Sequence, residues 1–151
     1  MKTMKQGFSL IELLVVVAII GILAAVGTVG YQNYIDGTKE RVAITNAETL
    51  AKALNAQDLA ISAGVGNDCT TGDSALDCMI RIRDAGDFAN PYDSTEVAVT
   101  IAASVTCSQA NRGHIQVTFA GGDATVQVCR GDVDSQTFQQ VDVVTLDNIS
   151  S

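Results

Sequence analysis

GFSLIELLVVVAIIGILAAV, residues 7 to 26, contains a single charge, Glu12. From Phe8 to Val26 every residue except Ser9, Glu12 and Gly21 is apolar, and Leu13 to Val26 carries no charge. At about 1.5 Å of helix rise per residue, that run approaches the thickness of a hydrocarbon core, so the stretch reads as a membrane segment. A carboxylate beside such a span costs on the order of a few kcal/mol unless it reaches the interface or finds a partner, which makes Glu12 a functional candidate. The plainer alternative is that Glu12, close to one end of the span, extends its side chain to the headgroups.

Downstream of the run the pattern stays helical. Residues 35 to 61 place Ile35, Val42, Ala43, Ala47, Leu50, Leu54 and Ile61 at spacings of three, four and seven, the signature of one buried stripe. Lys39, Glu40, Glu48, Lys52, Asn55 and Asp58 fall on other faces, and Glu48 to Lys52 is an i,i+4 pair in the favourable order. The simplest reading is one helix from about Phe8 to about Ser62, roughly 80 Å long. Its first half suits lipid or other helices; its second half suits a sheet on one side. The small residues Ala24 and Ala25 also fit an ordinary secretory signal, but such a signal needs neither an acid in its apolar region nor a helix that continues past the cut.

Composition changes at Ala63. Residues 63 to 96 carry Gly64, Gly66, Gly72, Gly86 and the only proline, Pro91, as a long surface connection would. Within it Asp73-Ser74 can cap a short helix over Ala75 to Arg83. The period then becomes two: Val97, Val99, Ile101, Ala103 and Val105; Ile115, Val117 and Phe119; Val126 and Val128; Val141 and Val143. These predict four strands, with Gly121-Gly122-Asp123 as a tight hairpin turn and residues 107 to 113 as a looser one. The expected fold class is α+β: a four-stranded antiparallel sheet whose apolar face is covered by the amphipathic half of the long helix.

Charge and motifs narrow the function. The chain has 151 residues and a net charge of −8; the first seven hold Lys2 and Lys5, so the remainder stands two lower, at −10. Its cations beyond that leader, at 39, 41, 52, 81, 83, 112 and 130, are scattered, which argues against a nucleic-acid surface. A lone His114 at a strand start reads as a solvated turn residue, and no nucleophile motif or phosphate loop accompanies it. Asp132 and Asp134, with Asp123 nearby, have the chemistry for calcium, yet DVDS in an acidic chain more often makes a polar turn. Asn148-Ile149-Ser150 matches an N-glycosylation acceptor only weakly. No catalytic residue, cofactor or metal is therefore expected.

Cys69, Cys78, Cys107 and Cys129 all follow the membrane segment, and an even number in an exported region favours two disulfides over a metal site, for which paired CxxC spacing is missing. Of three connectivities, Cys69 with Cys78 and Cys107 with Cys129 is preferred: the first closes the connecting loop on itself and the second ties strand ends. With only 5% aromatic residues and no Trp, the head has little bulk for its core, so bridges are useful to it.

The basic leader, Gly7, Phe8, Glu12 and the apolar run stand together in register, followed more weakly by YQNY at 31 to 34. Over this stretch the chain resembles the type IV pilins with their class III prepilin signal; beyond it the likeness is one of layout only. The resemblance implies the type IV pilin fold and a structural role. Residues 1–7 would be a leader removed by a prepilin peptidase at Gly7, with N-methylation of Phe8. Residues 8–34 would be the transmembrane and polymerisation helix, and residues 35–151 the head, made of amphipathic helix, the 63–96 loop and a sheet region over 97–151. Lys2 and Lys5 would hold the leader in the cytoplasm.

In a filament the Glu12 carboxylate of one subunit would meet the Phe8 amine of a neighbour, a register device inside a dry bundle of helices. Partners would be further copies of the chain, the peptidase, the pilus assembly machinery and the inner membrane, with no specific nucleic acid. The location would be the inner membrane and then an extracellular pilus active in adhesion, twitching motility, aggregation or DNA uptake. Relatives often carry a proline where this chain has Val29, so Gly27 and Gly30 become the sites of helix flexibility, or else of close helix contact; Gly21 serves packing. A secretion pseudopilin and a membrane-anchored periplasmic binding module that never polymerises are the competing readings.

Overall fold

The computed structural model describes residues 7–65, 69, 73–86, 88–101, 106–130 and 138–147. Outside them lie Lys2 and Lys5, Gly66 and Gly72, the strand positions Ala103 and Val105, the aspartates Asp132 and Asp134, and the Asn148 to Ser150 acceptor. The chain divides into two compact units, Met1–Gly37 and Thr38–Ser151. Helix α1, Leu10–Ser62, contributes to both.

In the first unit α1 is unbroken and every residue from 7 to 34 is exposed. Its most apolar 18-residue window has a mean hydropathy of 2.8. The helix keeps its ladder through Gly27 and Gly30, and a Cβ added at Gly21, Gly27 or Gly30 would meet nothing within 4 Å.

The second unit has the order α1, α2 (Ala75–Ala85), β1 (Val99–Ile101), β2 (Ile115–Ala120), β3 (Asp123–Cys129) and β4 (Phe138–Thr145), with a 3-10 turn at Gln109–Asn111. The strands lie in the order β1-β2-β3-β4. Ala43, Ala47, Leu50, Ala51, Leu54 and Ile61 of α1 share a core with Ile115 and Val117 of β2 and Ala124, Val126 and Val128 of β3. Three alanines in that stripe let backbone approach backbone. Val42 lies one position off it and is 43% exposed, outside the stripe assigned to it above. Asp58 departs the other way: placed among the solvated faces by its charge, it is 4% exposed and its Oδ2 accepts the Asp147 amide at 3.4 Å. The Glu48–Lys52 pair forms at 3.7 Å.

Ser74 caps α2 as its sequence suggests. Its hydroxyl oxygen accepts the Asp77 amide at 3.2 Å, and Arg81 reaches back to Asp73 at 2.7 Å. The helix ends two residues later than expected, at Ala85, and buries Ala75, Cys78, Met79 and Ile82.

The sheet is mixed, which corrects the antiparallel expectation. β2–β3 and β3–β4 are antiparallel, but β1 runs parallel to β2, Val99 opposite Ile115. The reason lies in the connection. Cys107 is bonded to Cys129, and Cys129 ends β3 beside the start of β2, so the chain leaving Ile101 must return to that end before β2 begins. A parallel pair needs such a crossover of a dozen or so residues, where a hairpin would not. Val97 lies before the start of β1 and forms an isolated bridge with Ala89.

Gly121 and Gly122, with φ of +66° and +93°, form the two-residue turn that primed hairpins require, and Asp123 already belongs to β3. In β4 the register skips Val141: Val126 faces Asp142 and Gln127 faces Gln140. This bulge moves the apolar positions to the other parity, so Val144 is buried at 5% while Val143, expected inside, is 44% exposed.

Gly113 holds the 90–92 loop to the β2 entry. Its φ is +80°, and a Cβ there would stand 2.3 Å from Asn90 Oδ1 and 2.8 Å from Tyr92 Cδ2. Gly113→Ala should therefore destabilise this unit by about 1–3 kcal/mol, read as a lower melting temperature. An unchanged melting temperature would show that the loop gives way freely.

Candidate functional site

The acid at the start of α1 is held by local chemistry. Ser9 stands just before the first helical residue, and its backbone N–H donates to Glu12 Oε2 at 3.0 Å, while Leu13 N–H donates to the Ser9 carbonyl at 3.3 Å. This is the return half of a capping box, in which the carboxylate three residues into a helix satisfies an orphan amide. The SLIE spelling at 9 to 12 carries that signal, concealed by the membrane character of the same residues.

Phe8, Ile11, Val15 and Val16 line, together with Glu12, a shallow groove of about 400 Å³. Phe8 is 82% exposed, Leu10 80% and Ile11 69%. One carboxylate thus stands beside an apolar groove at the start of an apolar helix. Such a surface is unsuited to water and suited to a cation delivered on an equally apolar partner.

Residues 2–28 match the Prokaryotic N-terminal methylation motif. A type IV major fimbrial protein FimA of Dichelobacter nodosus is 35% identical over 127 residues, covering 79% of this chain and 74% of that protein. The chain belongs to the type IV pilin family. A second Dichelobacter nodosus fimbrial protein is 30% identical over 131 residues, 86% of this pilin and 76% of its relative. A fimbrial protein of Neisseria meningitidis serogroup B is 40% identical over 72 residues, 48% of this pilin and 42% of its relative. No solved structure matches the chain.

The four cysteines and His114, also singled out by sequence, fall within the second unit of the pilin. Cys69 is bonded to Cys78 and Cys107 to Cys129, all four sulfurs belonging to buried residues. The imidazole of His114 is more enclosed than a turn residue's: its side chain is 15% exposed, Nε2 lies 3.2 Å from Glu96 Oε2, and Nδ1 is buried with no hydrogen-bond partner. Among the described residues no group of three or more His, Cys, Asp or Glu is placed to hold a metal ion.

The cations described above as scattered are partly gathered. Lys39 Nζ and the Arg112 guanidinium lie 5.5 Å and 4.6 Å from the centre of the Tyr92 ring, and Arg130 pairs with Glu40. Separations of 53 and 20 residues between Tyr92 and its two cations hide this cluster from any local pattern.

Proposed function

We propose that this pilin is the structural subunit of a type IV pilus, made as an inner-membrane precursor, cut after Gly7 by a prepilin peptidase, and polymerised through α1 into an extracellular filament. The observation that carries the reading is Glu12, the one acid in an exposed apolar helix start, standing four residues after the proposed new terminus. Removing the leader leaves Phe8 with a free amine. The Glu12 carboxylate of one subunit then has a cation to meet on the next, and any stagger that leaves either charge alone in the bundle is strongly disfavoured. One named relative is a type IV major fimbrial protein and the others are fimbrial proteins, which supports a pilus over a secretion pseudopilus or a monomeric binding module.

Sheared surface filaments should contain this chain beginning at Phe8, one methyl group heavier at the amine. Sequencing and intact mass of the sheared material check both. A mature protein that starts elsewhere, or that remains wholly in the inner membrane, would refute the reading.

A further inference from the structure

Several cations of the second unit pair with acids, Arg130 with the distant Glu40 among them. Lys52, Arg81 and Arg83 pair with acids close by in sequence, Glu48, Asp73 and Asp84. Lys39 and Arg112 instead meet over an aromatic ring, that of Tyr92, contributed by a different segment from either. Arg112 Nε donates to the Arg130 carbonyl at 3.3 Å, and Arg130 Nη1 donates to Gln139 at 2.8 Å. The arrangement is firmly built: Asn90, 2% exposed, accepts the Tyr92 amide at 3.0 Å, and Gly113 packs against both. In a chain at −8 this is a concentrated cationic and aromatic face.

Acids gather at the other end of the same unit. Asp123 opens β3; Leu146, whose N–H donates to the Gly122 carbonyl at 2.7 Å, brings Asp147 to the same turn, and the Asp147 amide reaches Asp58. Asp147 is exposed and Asp123 half-exposed. Asp58 follows Lys39 by 19 positions on α1, about 28 Å along the axis. The last turn of α1 has no basic residue, although a helix favours cations at that end. The acidic end therefore lacks a cation from its own helix terminus, and a partner of opposite polarity supplies one.

We infer that the Lys39–Tyr92–Arg112 face of one subunit docks on the Asp123–Asp147 end of a second copy of this chain. The two surfaces differ, so the contact is heterologous; it repeats along an open array and does not close on itself. The inference rests on the pilus reading and adds to it a specific contact between heads.

Carbodiimide, which joins an amine to a carboxylate in direct contact, tests it on unaltered protein. Cross-linked peptides joining Lys39 to Asp147 or Asp123 should appear in sheared filaments and be several-fold weaker in detergent-solubilised subunits, since one chain holds these groups too far apart. Filaments that yield the Lys52–Glu48 link but no Lys39 link to either aspartate would overturn the inference. So would protection of Lys39 by anionic lipid vesicles with no such link in filaments. As a second measurement, Arg112→Glu should make filaments dissociate at lower salt, and adding Asp147→Lys should restore them; failure of that rescue also counts against the contact. Absence of wild-type filaments would refute the pilus reading itself.

Discussion

Replacing Glu12 by alanine should cut the yield of sheared filaments by about two to three orders of magnitude while leaving membrane insertion and removal of residues 1 to 7 intact. The size follows from what the variant strands: a Phe8 amine inside an apolar bundle with no carboxylate. Removing one member of a buried ion pair costs about 3–5 kcal/mol, and each 1.4 kcal/mol is about a factor of ten. Insertion should not suffer, because the substitution removes an acid from the edge of a membrane span.

The structure adds a control. Glu12 also receives the Ser9 amide, so alanine deletes both a cap and a charge. Glu12→Gln keeps a side-chain acceptor at that position, as capping boxes allow, and removes only the charge. Filament yield as low in Glu12→Gln as in Glu12→Ala would assign the effect to the ion pair. Wild-type yield in Glu12→Gln would assign it to the cap and refute the register role. Immunoblots of sheared and cell-associated fractions measure both.

The second large effect concerns the bridges. Cys107 and Cys129 are 22 positions apart and Cys69 and Cys78 nine. Chain entropy then gives about 3.5 kcal/mol for the first and about 2.5 kcal/mol for the second. For a unit of this size, these correspond to melting temperatures lower by about 15 °C and about 10 °C. The double serine variants, Cys107→Ser with Cys129→Ser and Cys69→Ser with Cys78→Ser, should show that order in thermal unfolding followed by circular dichroism. The longer bridge also fixes the return of the chain to β2, so its loss should broaden the transition as the parallel β1–β2 pair frays. A larger shift from the shorter bridge would contradict this account.

Much of this fold is written in local patterns. The apolar run and the stripe through Ala43, Ala47, Leu50 and Leu54 announce α1, and Ser74 announces α2. What escaped depends on residues far apart in the chain. Asp58 looked solvated because its amide partner lies 89 positions away. Strand alternation records which face is buried but not which way a strand runs, so it carries no sign of the parallel β1. The β4 parity failed because a bulge leaves no mark in composition. At the helix start the failure was different in kind: the Ser9–Glu12 cap is a local signal, overshadowed by the membrane reading of the same residues.

The edge strand bears on how such a subunit avoids the wrong polymer. β4 is the last strand of its sheet, and an outer margin repeated on every subunit invites cross-β fusion. Here Asp142, opposite the buried Val126, sets an exposed carboxylate on that margin and accepts the Val143 amide at 2.9 Å. An incoming strand would have to bury that acid and displace its bond. The route to amyloid-like stacking is thereby obstructed at the sheet, which leaves growth to the path proposed above, the apolar helix.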